Sequence, residues 1–186
     1  MRALLLRHGE SVHNADRSGE PAAHSASDKL TAKGVEQAHA AGAGLAGHGV
    51  TRLLTSPLRR ARETAEAVAE PLGLEPEEIE YVGELTSAET FEQAVERVRR
   101  LKAELERGEA GERPLLVTHG IFTRFFLLDS VLGECFEAPM ASGLWNLGSH
   151  NCGLSTFAYG ESRDPLGATI PGWTCLTWME RPWSRP

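Results

Sequence analysis

The chain lacks the features on which a stapled, zinc-bound or membrane-spanning protein depends. It has only three cysteines, Cys135, Cys152 and Cys175, an odd number at wide spacing. That excludes a disulfide framework or paired-cysteine zinc site and points to a reducing cytoplasm. No apolar run approaches the roughly 20 residues of a spanning helix. The apolar start Ala3–Leu6 breaks at Arg7, too soon for a signal peptide. There is no HExxH spacing for a metal, no P-loop, no internal repeat and no domain linker. Positive charge is in short supply: 19 Lys and Arg stand against 26 Asp and Glu, a net charge of −7. Such a surface repels nucleic acid and anionic lipid, so neither is expected as a partner. An anionic small substrate would need a local basic pocket to overcome that field.

What is present suits a single globular domain over residues 1–186. Hydrophobic residues make up 41% and charged residues 24%, enough to bury a core without staples. Strand and helix signals alternate. Ala3–Leu6 reads as a buried strand running into Arg7-His8-Gly9. Residues Arg17 to Asp28 read as a surface loop. Thr31 caps a helix to about Leu45, and Arg52–Thr55 is a second strand. Ser56 at the cap and Pro57 at the first position start the next helix, whose Leu58, Ala61, Ala65, Val68 and Leu72 share a face. Ile79–Val82 is expected as a third strand. Thr90 and Gln93 form a capping box for a helix with Phe91, Ala94, Val98, Leu101 and Leu105 inward. Pro114–Thr118 is a fourth strand, followed by an apolar helix to about Leu132. Gly153–Tyr159 and Thr174–Met179 are two late strands around a Gly- and Pro-rich loop, Gly160–Gly172.

This alternation predicts an α/β three-layer α/β/α sandwich with a mostly parallel central sheet, and ligands beyond the carboxyl ends of its strands. Three strand ends carry polar groups: Arg7-His8, the Ser56 to Arg60 stretch, and Thr118-His119. If these strands are neighbours, arginines and histidines converge into a pocket suited to a phosphoryl group. Guanidinium charges lower the pKa of a nearby histidine, and a neutral imidazole can attack phosphorus. Such a mechanism also needs a carboxyl group as acid and then base. Glu84 is the first candidate and Glu89 its rival.

Leu6-Arg7-His8-Gly9-Glu10-Ser11, with Asn14 three residues on, resembles the signature of the histidine phosphatase superfamily, which includes the cofactor-dependent phosphoglycerate mutases. Leu30-Thr31-Ala32-Lys33-Gly34 with Gln37-Ala38, the run Ser56 to Ala65, and Val117-Thr118-His119-Gly120 resemble further family segments in the family's order. The four span roughly two-thirds of the chain. The resemblance implies His8 as the phosphorylated nucleophile, Arg7 and Arg60 as phosphate ligands and Asn14 as a further donor. It implies His119 as the second histidine and Glu84 as proton donor. Arg59 and Arg62 are expected to be solvated. The stretch after Glu84, Leu85 to Thr90, is shorter than the Gly-rich, Trp-containing segment family members often carry, and is similar to the small phosphohistidine-phosphatase branch.

His13, His24, His39, His48 and His150 are read as surface or structural, His150 being nearest to the expected mouth. Gly42-Ala43-Gly44-Leu45-Ala46-Gly47 matches GxGxxG, but it ends a helix and precedes a strand, the reverse of a dinucleotide fingerprint. Of Trp145, Trp173, Trp178 and Trp183, the first two lie in loop-like sequence, and one or other of them is expected to border the mouth.

The expected activity is metal-independent hydrolysis of a phosphomonoester through phosphorylated His8, with no cofactor and a small phosphorylated substrate. Mutase-type transfer uses the same pocket but must hold the acceptor and exclude water. The longer insertions and tails usual in mutases favour hydrolysis in this compact chain. A phosphohistidine protein phosphatase is a further alternative, and non-enzymatic phospholigand binding would leave the nucleophile without a purpose. Substrate choice is expected from the loops Arg17–Asp28, Glu84–Glu89, Glu134–Asn151 and Gly160–Gly172. A homodimer is left open.

Overall fold

Leucines along the central strands alternate between two faces, and this alternation builds two cores. The structure, a computed structural model, describes residues 1–16, 26–109, 111–163 and 165–184. Its strands are β1 (Arg2–Arg7), β2 (Arg52–Thr55), β3 (Pro76–Glu78), β4 (Pro114–Thr118), β5 (Leu154–Arg163) and β6 (Thr169–Glu180). Its helices are α1 (Val12–Ala15), α2 (Ala32–Leu45), α3 (Arg59–Leu72), α4 (Phe91–Glu106) and α5 (Gly120–Leu132). On one face Leu4, Leu6, Leu53, Leu115 and Val117 pack with Ala38, Ala41, Leu45, Ala61, Ala65 and Val68 of α2 and α3. On the other, Ala3, Leu5, Leu54, Leu116 and Phe157 pack with Val98, Leu101, Phe122 and Phe126 of α4 and α5. The sheet between these layers has the order β3-β2-β4-β1-β5-β6. Pairings among β1 to β4 are parallel, and β5 is antiparallel to both neighbours. The expected mostly parallel α/β architecture is the one present. Among the described residues no helix is long and apolar enough to cross a membrane.

Several local features follow the sequence signals. Thr31 caps α2 by accepting from Gly34 N, and Thr90 and Gln93 form the reciprocal capping box of α4. Helix α3 ends where Pro71 leads into Gly73 at φ 64°, a left-handed stop that glycine accommodates. The GxGxxG segment serves packing. A Cβ on Gly42 would stand 2.8 Å from Pro71 Cγ and 3.1 Å from the Ala67 carbonyl oxygen, so α2 and α3 approach closely there.

Three expectations are corrected. The third strand lies at Pro76–Glu78, while Glu80–Val82 is a 3-10 turn. Ile79 and Val82 are both buried three residues apart, a helical spacing that a strand would split between two faces. Helix α3 begins at Arg59, with Leu58 at its cap, instead of at Ser56-Pro57. Ser56 N is still in the sheet ladder, donating to Val117 O at 3.0 Å. The stretch Gly160–Gly172 is largely strand. Gly160 pairs with Gly172 and Arg163 with Thr169 in the β5–β6 hairpin. Pro171 fits there because β6 is an edge strand, where a missing N–H leaves no ladder bond broken. Of the surface loop expected at Arg17–Asp28, residues 17–25, His24 among them, lie outside the described residues.

The loop after β1 is clamped to the start of α2. Thr31 N donates to Glu10 O (2.9 Å), Val12 N to Lys29 O (2.9 Å), and Ser11 and Leu30 form an antiparallel bridge. Gln37 Oε1 accepts from Glu10 N at 2.9 Å, and Thr31 Oγ1 and Lys33 Nζ reach the Glu10 carboxylate at 3.0 and 2.8 Å. At the centre of the clamp two glycines meet backbone to backbone. A Cβ on Gly9 would lie 2.5 Å from the Gly34 carbonyl oxygen, and one on Gly34 2.0 Å from the Glu10 carbonyl oxygen. Backbone cannot step aside as a side chain can. Gly34→Ala is therefore expected to destabilise by at least about 2 kcal/mol in urea titration. Gly47→Ala, where a Cβ meets nothing within 4 Å, is expected to stay within about 1 kcal/mol of the parent.

Candidate active site

The parallel ladder sets the polar groups side by side. His8 N donates to Thr118 O and Ser56 N to Val117 O, both at 3.0 Å, so the ends of β1, β4 and β2 stay adjacent beyond the last strand residues. His8 and His119 consequently face each other with ring centroids 5.2 Å apart. His8 is 2% exposed, Arg60 2% and His119 0%.

The hydrogen bonds assign the state of His8. Nδ1 lies 2.7 Å from the Gly9 carbonyl oxygen, which can only accept, so Nδ1 carries the proton. Arg60 Nε donates to Nε2 at 3.1 Å, so that nitrogen presents a lone pair. The ring thus presents Nδ1 as a donor and Nε2 as an acceptor, with Nε2 held by a guanidinium. The His8 carbonyl is gripped from behind by Asn151 Nδ2 (3.2 Å) and Cys152 N (3.3 Å). His119 Nε2 is 2.8 Å from Ser56 Oγ, the hydroxyl expected to cap α3.

Around this pair stand three arginines and two carboxylates. Arg7 Nη1 donates to Ser149 O (2.9 Å) and Nη2 reaches Asn14 Oδ1 (3.5 Å), which also accepts from Asn151 Nδ2 (3.0 Å). Arg60 Nη1 lies 3.9 Å from the Asp28 carboxylate, both side chains buried. Glu84 sits on the first turn of α5, accepting from Phe122 N (3.2 Å), Ile121 N (3.4 Å) and its neighbour Leu85 N (3.0 Å). Burial pulls Arg7, Arg60 and Arg124 below the usual guanidinium pKa, and the Glu84 charge is the largest opposing influence on each. Glu84 thus faces three cations, and Asp28 is a second carboxylate beside Arg60.

The structure brings together six residues singled out in the sequence: Arg7, His8, Asn14, Arg60, Glu84 and His119. It sets the rival acid apart. Both Glu89 oxygens are taken by Arg97, at 2.6 and 2.9 Å. Arg59 and Arg62 pair with Glu63 and Glu78 on the surface. Trp173 does not border the mouth: it is a β6 residue packed edge-on against Phe126, 5.3 Å away, with its Nε1 donating to Glu106 (2.7 Å). Trp145 is 69% exposed and lies against Arg124, whose guanidinium carbon is 5.7 Å from the ring centroid. His150 is exposed.

Arg124, Asp28 and Asn151 were not picked out. Arg124 falls one helical turn after Gly120, so the α5 periodicity beyond the His119 motif was an available signal. Asp28 lies in sequence with no periodicity, and only the fold shows that it turns inward. Gly120 is needed where Arg7 meets α5. A Cβ there would stand 2.8 Å from Ser149 Oγ and 3.4 Å from Arg7 Nε.

Comparisons with known proteins agree with this geometry. The model of the histidine phosphatase superfamily (branch 1) matches residues 3–86 and 80–167. A curated relative from Yersinia enterocolitica, named "Probable phosphoglycerate mutase GpmB", is 30% identical over 195 residues, covering 87% of this chain and 86% of its own. The chain belongs to the histidine phosphatase superfamily, a family of phosphatases and phosphoryl-transferring mutases. Solved structures share the fold. A phosphoserine phosphatase variant from Entamoeba histolytica in complex with phosphoserine aligns with TM-score 0.78 at 16% identity, over 98% of both chains. A mycobacterial glucosyl-3-phosphoglycerate phosphatase in complex with VO3 aligns with TM-score 0.70 at 22% identity, over 96% of this chain and 98% of that one.

Cys152 lies directly behind His8, and burial pushes its thiol up to about 12, against the pull of Arg7. Relative to the ordinary value of 9.0, that leaves about a thousandfold less thiolate at neutral pH. Alkylation of the native protein at pH 8, followed by peptide mass mapping, is expected to mark the exposed Cys135 and leave Cys152 untouched. Labelling of Cys152 is expected only after unfolding.

Proposed function

We propose that the protein is a phosphatase that hydrolyses a small phosphomonoester through a phosphohistidine on His8. The observation that carries this reading is the His8 ring itself, with Nδ1–H on the Gly9 carbonyl and a lone pair on Nε2 beside Arg60.

In this proposal Arg7, Arg60, Asn14 and His119 hold the phosphoryl oxygens of the incoming ester. Arg60 Nε, now on His8 Nε2, turns its hydrogen bond to an oxygen and frees the lone pair. Nε2 attacks phosphorus, the N–P bond forms and the ester P–O bond breaks. Positive charge develops on the imidazole, and the Gly9 carbonyl stabilises it through Nδ1–H. Glu84, a carboxylate that takes up the proton of a monoanionic phosphate ester as it binds, gives that proton to the leaving oxygen. As carboxylate it then takes a proton from a water that attacks phosphorus, which restores His8 and releases phosphate. The chemistry is positioning and charge stabilisation throughout, and this chain's own side chains supply it.

The relatives named as phosphoglycerate mutases favour a second reading, transfer of the phosphoryl group back to a bound acceptor. A mutase has to enclose that acceptor against water. Release of inorganic phosphate without acceptor, measured against transfer from a bisphosphate, separates the two.

His8→Ala is expected to abolish p-nitrophenyl phosphate hydrolysis, and an acid-labile phosphoenzyme is expected to be trapped in wild type only. Surviving turnover would place the nucleophile elsewhere. Glu84→Gln is expected to cost about 100-fold on alkyl phosphates and less than about tenfold on p-nitrophenyl phosphate, whose leaving group needs little protonation. An equal loss on both would remove Glu84 from the acid role.

A further inference from the structure

Between the 3-10 turn that ends at Val82 and the start of α4 at Phe91, residues 83–90 run without helix or strand, and Glu84 lies near their beginning. A segment of this kind holds a side chain in place only if its own backbone is held. The carbonyls of Tyr81, Val82 and Gly83, directly ahead of Glu84, are all taken. Arg97 Nη1 donates to Tyr81 O at 2.8 Å and to Gly83 O at 3.0 Å. Thr118, next to His119, donates from Oγ1 to Val82 O at 2.7 Å. The other edge of the Arg97 guanidinium, Nε and Nη2, holds the two oxygens of Glu89 at 2.6 and 2.9 Å. Glu89 in turn accepts from Thr86 N at 3.1 Å. The Arg97–Glu89 pair therefore grips the backbone immediately before Glu84 and again two residues after it. Leu85, in between, is buried in the core. The Arg97 guanidinium carbon also lies 5.8 Å from the centre of the Phe122 ring, and Phe122 N is one of the donors to Glu84.

An ion pair that served stability alone would not need to close on the backbone at both sides of one residue. We infer that Arg97 and Glu89 are positioning residues for Glu84: the pair forms a bracket around it and sets where its carboxylate meets the leaving oxygen. The inference rests on the reading of Glu84 as the proton donor. Glu89, with both oxygens committed to Arg97, serves that donor as an anchor instead of competing with it. Proton transfer needs the carboxyl group within hydrogen-bond reach of one atom, whereas several donors share the grip on the phosphoryl group. Loosening the bracket therefore acts on the step that protonates the leaving oxygen and leaves substrate binding alone.

The test follows kcat and KM for an alkyl phosphate and for p-nitrophenyl phosphate in Arg97→Met, Arg97→Lys and Glu89→Gln, each alone and combined with Glu84→Gln. Arg97→Met is expected to lower kcat about tenfold or more on the alkyl ester and less than about threefold on p-nitrophenyl phosphate, with KM within about twofold on both. Arg97→Lys keeps the charge without the fork and is expected to recover part of the loss. Glu89→Gln keeps an acceptor for Thr86 N and is expected to show the same selectivity at smaller size. It decides the matter if thermal melting shows Arg97→Met to be unfolded at the assay temperature. In the Glu84→Gln background none of these substitutions is expected to add to the loss on the alkyl ester, because each acts through the carboxyl group already removed. Equal losses on the two esters with Glu84 in place, or no loss on either, overturn the inference, since a merely structural pair does not distinguish leaving groups. An alkyl-specific loss that persists in the Glu84→Gln background overturns it too. In those cases Glu84→Gln alone still discriminates between the esters, and the proton-donor reading stands. Glu84→Gln that loses equally on both esters overturns the proton-donor reading, and the role of the bracket falls with it.

Discussion

The backbone ladder that continues past the ends of β1, β2 and β4 is the constraint on which the site depends. Because His8 N and Ser56 N each donate to a β4 carbonyl, three chain segments far apart in sequence leave the sheet at one level. His8, Ser56 and His119 then meet without help from any flexible loop. Parallel strands make this possible, since all their carboxyl ends lie at the same edge and the helices that follow start there with free N–H groups. Glu84 uses one of those starts, docking on the first turn of α5. The same end of the sheet gathers three guanidinium groups in a chain whose net charge is −7. The positive field is local: burial acts against it, and the Glu84 carboxylate opposes that effect on all three guanidinium groups.

Much of this was legible in the sequence, and the legible parts have a common cause. Arg7-His8, Arg60 and His119 follow apolar runs whose length and composition mark buried strands, and polarity at a strand end is readable without knowing the fold. The capping signals at Thr31 and Thr90 are equally local. What failed was local pattern overridden by tertiary position. Ile79–Val82 looked like a strand because four residues are too few to separate a period of two from a period of three. Ser56-Pro57 looked like a helix start, but the ladder claims Ser56 and its hydroxyl goes to His119. The glycines and proline of residues 160–172 read as a loop because an edge hairpin tolerates them as well as a loop does.

Residues that act through tertiary position alone were the hardest to see. Asp28 carries no periodic signal, yet its side chain is buried beside Arg60. Asn151 ties Asn14 to the His8 carbonyl across more than a hundred residues of chain. Several motif residues proved to have scaffolding duties. Thr64, in the Arg60 segment, bonds Gly9 N at 3.1 Å and the Arg60 carbonyl at 2.7 Å, so it joins the loop that follows His8 to the helix that carries Arg60. Glu63 accepts from Leu30 N at 2.7 Å and secures the entry to α2. Half of what looks like a catalytic signature is the frame that holds the other half.

The clamp between the β1 loop and α2 has a consequence for how such a protein diversifies. The chain departs after Ser11 and returns at Leu30, and those two residues are bridged to each other, with Thr31 N on Glu10 O and the two glycines in contact just inside. The excursion between them is tied off at its base like a loop of thread at a knot. Between Asn14 and Asp28, whose side chains belong to the site, its length can drift, since loop closure grows costlier only slowly with length, while His8 on the far side of the knot does not move. Descendants of one ancestor can therefore exchange that segment and keep the frame around His8 unchanged.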